Sequence, residues 1–299
     1  MFNKVIVALM PLAPKFIVRM ISKRYIAGED TSAAMNMCRT LNRAGFLTTV
    51  DILGESVTSK EQALAARDAY LDLVSQVSEQ GITKNISLKP TALGLELSDE
   101  LAYDNIEAIV KKADQLGVFI RIDMEDSPYT TKTIQIYDRL RKNYPLLGTV
   151  IQAYMHRSME DVTKIADKAG NLRICKGIYK ESPSIAFQDA DEIRTNYLKL
   201  VQTMLEQGAY VGIATHDLLL IDESLKLIST MRIPPDKYEF QALLGVPIVQ
   251  RLEQLIQQGH KVRIYVPYGQ EWYAYSSRRL KENPDIAGYI LKNIFSGKK

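Results

Sequence analysis

Three charged side chains close strongly apolar runs in this sequence. Lys89 ends Asn85–Lys89, Asp123 ends Val118–Asp123, and Lys176 stands one residue before the end of Leu172–Gly177. A lone charge buried in such a setting is costly, so each must be paired or used. Gathered at one mouth, these groups would neutralise one another and shift one another's pKa values, as the ionisable groups of an active site do. Asp51, Gln152, Tyr179, Thr215 with His216, Gln241 and Tyr265 also stand at or just beyond the ends of apolar runs. Part of that pattern is generic, because run ends adjoin loops and loops are polar. The charged ends are harder to explain that way. Arg121 lies two residues before Asp123 and so shares its face of a strand. A core ion pair is expected for Arg121 and a site role for Asp123.

Near the C-terminus, Glu282 lies four and three residues beyond Arg278 and Arg279, within reach of a helical ion pair. Two adjacent guanidinium groups suit bidentate recognition of a carboxylate, although on a surface helix such a pair is more often only solvated. His156, His216 and His260 are far apart and carry no metal-ligand spacing, and no metal is expected. His216, at a run end, could bond a phosphate or ribose; His156 and His260 fit surface or capping roles. Cys38 and Cys175 suggest neither a disulfide framework nor a metal site, which favours a reducing compartment. Cys175 reads as a small buried apolar residue.

The elements that must carry these groups alternate along the chain. Short β-rich runs cover Phe46–Asp51, Asn85–Lys89, Val118–Asp123, Thr149–Tyr154, Leu172–Gly177, Tyr210–His216, Tyr238–Gln241 and Val262–Pro267. Helical patterns follow them: one opens at Ser59 and Glu61 and closes at Gly81, and others cover Ser98–Gly117, Ile185–Gly208 and Asp217–Met231. A last helix is predicted from about Glu271 to Glu282, before Pro284. Eight strand–helix units predict a (β/α)₈ TIM-type barrel over residues 45–299, preceded by an N-terminal helical arm over residues 1–44. A doubly wound open sheet is the alternative, weakened by the lack of a Gly-rich phosphate turn after any strand.

The formal net charge of +3 is dispersed, which argues against nucleic acid as a partner. Val5–Ile21 is apolar, but Pro11 and Pro14 break it and Lys15 and Arg19 charge it, against a spanning helix. No small-residue cleavage site follows, against a secretory signal. The segment is expected to pack on the domain or to lie against a membrane surface.

Ordered motifs at the run ends resemble one family. Arg173-Ile-Cys-Lys176-Gly177-Ile178-Tyr179 resembles the R-x-x-K-G-A-Y motif of proline dehydrogenases, and 263–284 (RIYVPYGQEWYAYSSRRLKENP) resembles that family's last strand and helix. TTVDILGE from Thr48, SLKPTALGL from Ser87, IDMED from Ile122, IQAY from Ile151, ATHD from Ala214 and EFQALLG from Glu239 follow the family's order, so the resemblance covers about Leu41 to Pro284. It implies a flavin-binding barrel that oxidises L-proline to Δ1-pyrroline-5-carboxylate by hydride transfer to N5 of FAD. By motif, Lys89, Arg278 and Arg279 would bind the substrate carboxylate, with Glu282 holding the arginine pair. Tyr179 and Tyr265 would pack on the ring. Asp123 would order the site and Arg173 would stand near N5. Met124, Gln152, Lys176, Gly177, Ile178, Thr215 and His216 would line the FAD site. Ile178 departs from the motif's alanine and adds bulk there.

The turn after Tyr265 resembles the short bacterial single-function members, without the aldehyde dehydrogenase half of bifunctional relatives, so a separate enzyme is expected to oxidise the product. The resemblance also implies a membrane quinone as electron acceptor, with the basic apolar N-terminus as a contact. A cytoplasmic enzyme, peripheral on the inner face of the cell membrane, is therefore expected. Two other readings stay open: a Schiff-base aldolase using Lys89 or Lys176, and another flavin barrel reductase.

Overall fold

Alternation along the strands decides the architecture. Val50, Ile86, Ile120, Ile174, Phe240 and Ile264 are buried beneath helices, while Thr49, Ser87, Arg121, Arg173, Gln241 and Tyr265, each one residue away, are polar. A sheet with one apolar and one polar face can hide both only by closing, with helices covering the outside. The structure, a computed structural model, describes residues 24–167, 169–273, 275 and 276.

Eight parallel strands close in chain order: β1 (Leu47–Ile52), β2 (Asn85–Leu88), β3 (Phe119–Ile122), β4 (Leu147–Gln152), β5 (Asn171–Cys175), β6 (Tyr210–Ala214), β7 (Tyr238–Leu243) and β8 (Val262–Tyr268). Closure is made where β8 meets β1, in register from Leu47 opposite Arg263 to Ile52 opposite Tyr268. Helix α1 (Thr31–Arg43) precedes the barrel, and α2 (Lys60–Glu79), α3 (Asp99–Gln115), α4 (Ser127–Leu140), α5 (Ser158–Ile165), α6 (Ala190–Glu206), α7 (Leu218–Thr230) and α8 (Val249–Gln257) cover its outside. The fold is the predicted (β/α)₈ barrel.

Local chemistry sets the helix starts. Ser59 Oγ accepts from the Gln62 amide and Ser98 Oγ from the Leu101 amide, both at 3.3 Å, and Asp217 caps α7 through the Leu219 amide at 3.2 Å. Each such cap stabilises its helix by about 1 kcal/mol.

The structure moves several predicted boundaries. Strand β4 begins at Leu147, before the expected Thr149, because Gly148 can sit against Arg121: a Cβ there would lie 2.5 Å from an Arg121 guanidinium nitrogen. Strand β6 ends at Ala214 because the Asp217 amide turns back onto Thr215 Oγ1 at 3.1 Å. Helix α6 starts at Ala190 rather than Ile185. The preceding residues form a loop tied to the end of β4 by Phe187 N to Tyr154 O (2.8 Å) and His156 N to Ile185 O (3.0 Å). The predicted last helix is helical at 272, 273, 275 and 276, and its remainder lies outside the described residues.

The barrel interior is a polar chain rather than the usual aliphatic layers. Asp123 Oδ1 meets Arg173 Nη1 at 2.8 Å; Arg173 Nε donates to Gln241 Oε1 and Gln241 Nε2 to Glu239 Oε1, both at 2.5 Å. Glu239 then takes Arg263 bidentately at 2.6 and 2.9 Å, and Arg263 Nη1 ends on Thr48 O at 2.7 Å. Burial opposes the charge on Glu239, but Arg263 and Arg121 outweigh it and hold the carboxyl down at about 2.

Arg121 corrects one expectation. It faces the interior as predicted, yet it does not pair with Asp123. Its guanidinium donates to the carbonyls of Thr149 (3.0 Å) and Asn171 (2.8 Å) and to Asn171 Oδ1 (2.7 Å), while Asp123 is taken by Arg173. The side chain reaches toward the N-terminal ends of the strands, away from the mouth that Asp123 faces.

Candidate active site

The C-terminal strand ends surround a cavity of about 530 Å³. Lys89, at the end of β2, lies with its ammonium 2.6 Å from Asp51 Oδ2 on β1 and 3.4 Å from the Tyr265 hydroxyl on β8. The Tyr265 hydroxyl donates to Asp123 Oδ2 at 3.0 Å, and the Arg173 guanidinium lies 5.3 Å from the centre of its ring. Four side chains from β5, β8 and the ends of β2 and β3 thus form one largely buried cluster of alternating charge, with Asp51 behind it.

Its electrostatics follow from those contacts. Burial works against the ammonium of Lys89, but Asp51 and Asp123 outweigh it and hold the group above the ordinary lysine range. Lys89 is therefore a fixed cation at neutral pH. Burial, reinforced by Asp123 and Asp51, pushes the Tyr265 hydroxyl well above its ordinary pKa, so it stays a neutral donor. The site can thus present two cations and a hydroxyl to an anionic substrate, beside an aromatic wall.

Next to this cluster the cavity runs over Gln152, Cys175, Lys176, Gly177, Thr215 and His216. Gln152 is locked by its donation to Glu125 O at 2.8 Å. Lys176 is half-exposed and rests on Asp217 at 3.2 Å. Gly177 has φ +115°, and a Cβ there would lie 2.2 Å from the Tyr154 ring, so the position demands glycine. The His216 ring accepts the Leu243 amide at Nε2 (3.1 Å), which assigns the ring proton to Nδ1.

A family model described as "Proline dehydrogenase" matches residues 34–290. The chain belongs to the proline dehydrogenase family. It is 37% identical over 276 residues to "Proline dehydrogenase 1" of Bacillus subtilis (strain 168), covering 92% of this chain and 91% of that one. It is 33% identical over 282 residues to "Proline dehydrogenase" of Deinococcus radiodurans, covering 93% and 91%. Among solved structures, proline utilization A from Bdellovibrio bacteriovorus, inactivated by N-propargylglycine, aligns with a TM-score of 0.82 at 25% identity. That alignment covers 94% of this chain and 34% of the larger protein. The protein is an enzyme that oxidises proline.

Within this enzyme the structure brings Lys89, Asp123, Met124, Gln152, Arg173, Lys176, Gly177, Ile178, Tyr179, Thr215, His216 and Tyr265 to one cavity. Arg278, Arg279 and Glu282 lie outside the described residues. Cys175 departs from its expected burial: it is only partly covered and lines the cavity. No group of three or more His, Cys, Asp or Glu among the described residues is arranged to hold a metal.

Two residues given no role by the sequence reading stand out. Asp51 is wholly buried against Lys89, and Glu125 is buried beside the cavity with its carboxyl pushed up to about 7 by burial. Asp51 was detectable as a charge ending an apolar run; Glu125, inside IDMED, carried no signal separating it from Asp126.

Proposed function

We propose that the enzyme converts L-proline to Δ1-pyrroline-5-carboxylate with FAD as its cofactor and a membrane quinone as the final electron acceptor. The observation that carries this reading is the hydrogen-bonded cluster of Lys89, Asp123, Arg173 and Tyr265 on the cavity wall. The adjoining residues fit a flavin nucleotide in their chemistry. They offer a guanidinium at Arg173, a planar amide at Gln152, a cation at Lys176 for phosphate, and a glycine backbone that permits close approach. Bound FAD would supply the hydride acceptor.

The chain's own residues do the rest. Lys89 takes the substrate carboxylate as a permanent cation, joined by Arg278 and Arg279. Tyr265 and Tyr179 offer flat walls to the ring methylenes. Asp123 keeps Arg173 and Tyr265 in fixed orientations by accepting from both. Arg173 places positive charge where negative charge would develop on reduction. Such positioning, made before the substrate arrives, is how a site of this kind lowers a barrier.

A visible spectrum of the full chain supplied with FAD tests the reading. Yellow protein that bleaches on anaerobic addition of proline is expected; protein that takes up no flavin, or stays yellow, refutes it. No helix among the described residues is long and apolar enough to cross a membrane. The basic apolar segment before Arg24 is proposed to meet the quinone-bearing membrane. Deleting it should abolish sedimentation with anionic vesicles, and undiminished sedimentation would refute that role.

A further inference from the structure

The Glu125 carboxylate commits both oxygens to one residue. Oε2 accepts the Thr91 amide at 2.8 Å, and Oε1 accepts the Thr91 hydroxyl at 2.6 Å. Both residues are buried, Glu125 at 3% exposed and Thr91 at 2%. Thr91 stands two residues beyond Lys89, in the 3₁₀ turn Thr91–Leu93 that ends the passage out of β2. The position of that turn, and with it the end of the strand bearing Lys89, is therefore fixed from the neighbouring strand end.

Thr91 also faces the other way. Having donated its proton to Glu125, its hydroxyl oxygen accepts the Ser56 amide at 3.1 Å. Ser56 sits in the β1–α2 loop with φ +54°, a left-handed conformation costly for a residue other than glycine. Its own hydroxyl donates to Glu96 at 2.7 Å. The loop residue before it, Glu55, lines the cavity. One buried carboxylate thus governs a relay from β3 through β2 to a strained loop at β1.

We infer that Glu125 is a positioning residue for the substrate pocket: through Thr91 it fixes the turn that follows Lys89 and latches the loop presenting Glu55. The inference rests on the proposed role of Lys89 at the substrate carboxylate. Its chemistry requires that Thr91 donate to one partner while accepting from the other, which only a hydroxyl can do. Losing that link loosens two sides of the pocket without removing any group that touches substrate, so it should weaken proline binding and spare the chemical step.

Proline-dependent dye reduction by the FAD-loaded full chain tests this with Thr91→Val, Thr91→Ser, Glu125→Met and Lys89→Met. Valine keeps the shape and deletes the hydroxyl. Thr91→Val should raise KM for proline about tenfold, the effect of one buried hydrogen bond to a charged group. Its kcat should stay within about twofold and its flavin content should not change. Thr91→Ser should restore wild-type KM. An unchanged KM in Thr91→Val overturns the inference, as does an equal rise in Thr91→Ser, which would point to the lost methyl. Should Thr91→Val fail to fold, Glu125→Met, which deletes both acceptors, is read in the same way: a raised KM at constant kcat supports the latch and an unchanged KM overturns it. Lys89→Met separates the two levels. An unchanged KM there removes the role of Lys89 itself, whereas a raised KM beside an unaffected Thr91→Val removes only the latch.

Discussion

Replacing Asp51 by asparagine should destabilise the enzyme more than any loss of packing could explain. The Lys89 side chain is 10% exposed and that of Asp51 0%, and the two meet at 2.6 Å. The introduced amide would fit the same space but leave the ammonium without its nearest counter-charge. Breaking a buried pair in this way costs about 3–5 kcal/mol, most of it the penalty for the orphaned charge. With urea m-values of up to about 3 kcal/mol per molar, the unfolding midpoint should fall by roughly 1 M or more. The decisive comparison is the double variant Asp51→Asn/Lys89→Met. Removing the orphaned cation should make it more stable than Asp51→Asn alone, although it carries one more substitution. Urea titrations of the four proteins at one pH and one flavin concentration give the cycle. A double variant less stable than Asp51→Asn, or a midpoint shift under about 0.3 M for the single variant, would refute the claim that a desolvated charge governs this side of the site.

Other consequences are as direct. On the proposed carboxylate role, Arg279→Met should lower proline affinity sharply while bound flavin stays in place, checked by proline titration and flavin absorbance. Gly177→Ala should lose flavin, because its Cβ would meet the Tyr154 ring at 2.2 Å and φ +115° disfavours alanine; flavin content after desalting measures this. Glu239 has a folded pKa of about 2, below its ordinary 4.5, so it stabilises the fold above pH 4.5 and loses that contribution as pH falls toward 2. The amount is about 3 kcal/mol. Glu239→Gln should therefore start less stable at neutral pH and lose stability less steeply on acidification, as followed by urea midpoints from pH 6 to 3.

The barrel was legible because eight short β-rich runs alternate with helical patterns, and its mouth because a charge at the end of an apolar run is conspicuous, as at Lys89, Asp123 and Lys176. The partners of those charges were not legible. Lys89 meets Asp51 across 38 positions of sequence, and Arg173 meets Asp123 across 50, distances at which no helical or strand period applies. Arg121 shows the same limit: its spacing from Asp123 gave the correct face but not the direction along the barrel axis. Strand ends were misplaced where a side chain or a glycine set them, as at Thr215 and Gly148. Spacing within one element was readable; the handshakes between elements needed the closed barrel.

The unbroken run of contacts from Asp123 through Arg173, Gln241 and Glu239 to Arg263 constrains how this lineage can vary. Each member satisfies the next, so altering one leaves its neighbour mismatched, and drift along the axis must proceed by coordinated pairs. The aliphatic side chains under the helices face no such constraint and can be exchanged for others of similar volume. A mutational library should thus recover many single changes beneath the helices, and on the axis chiefly those accompanied by a second.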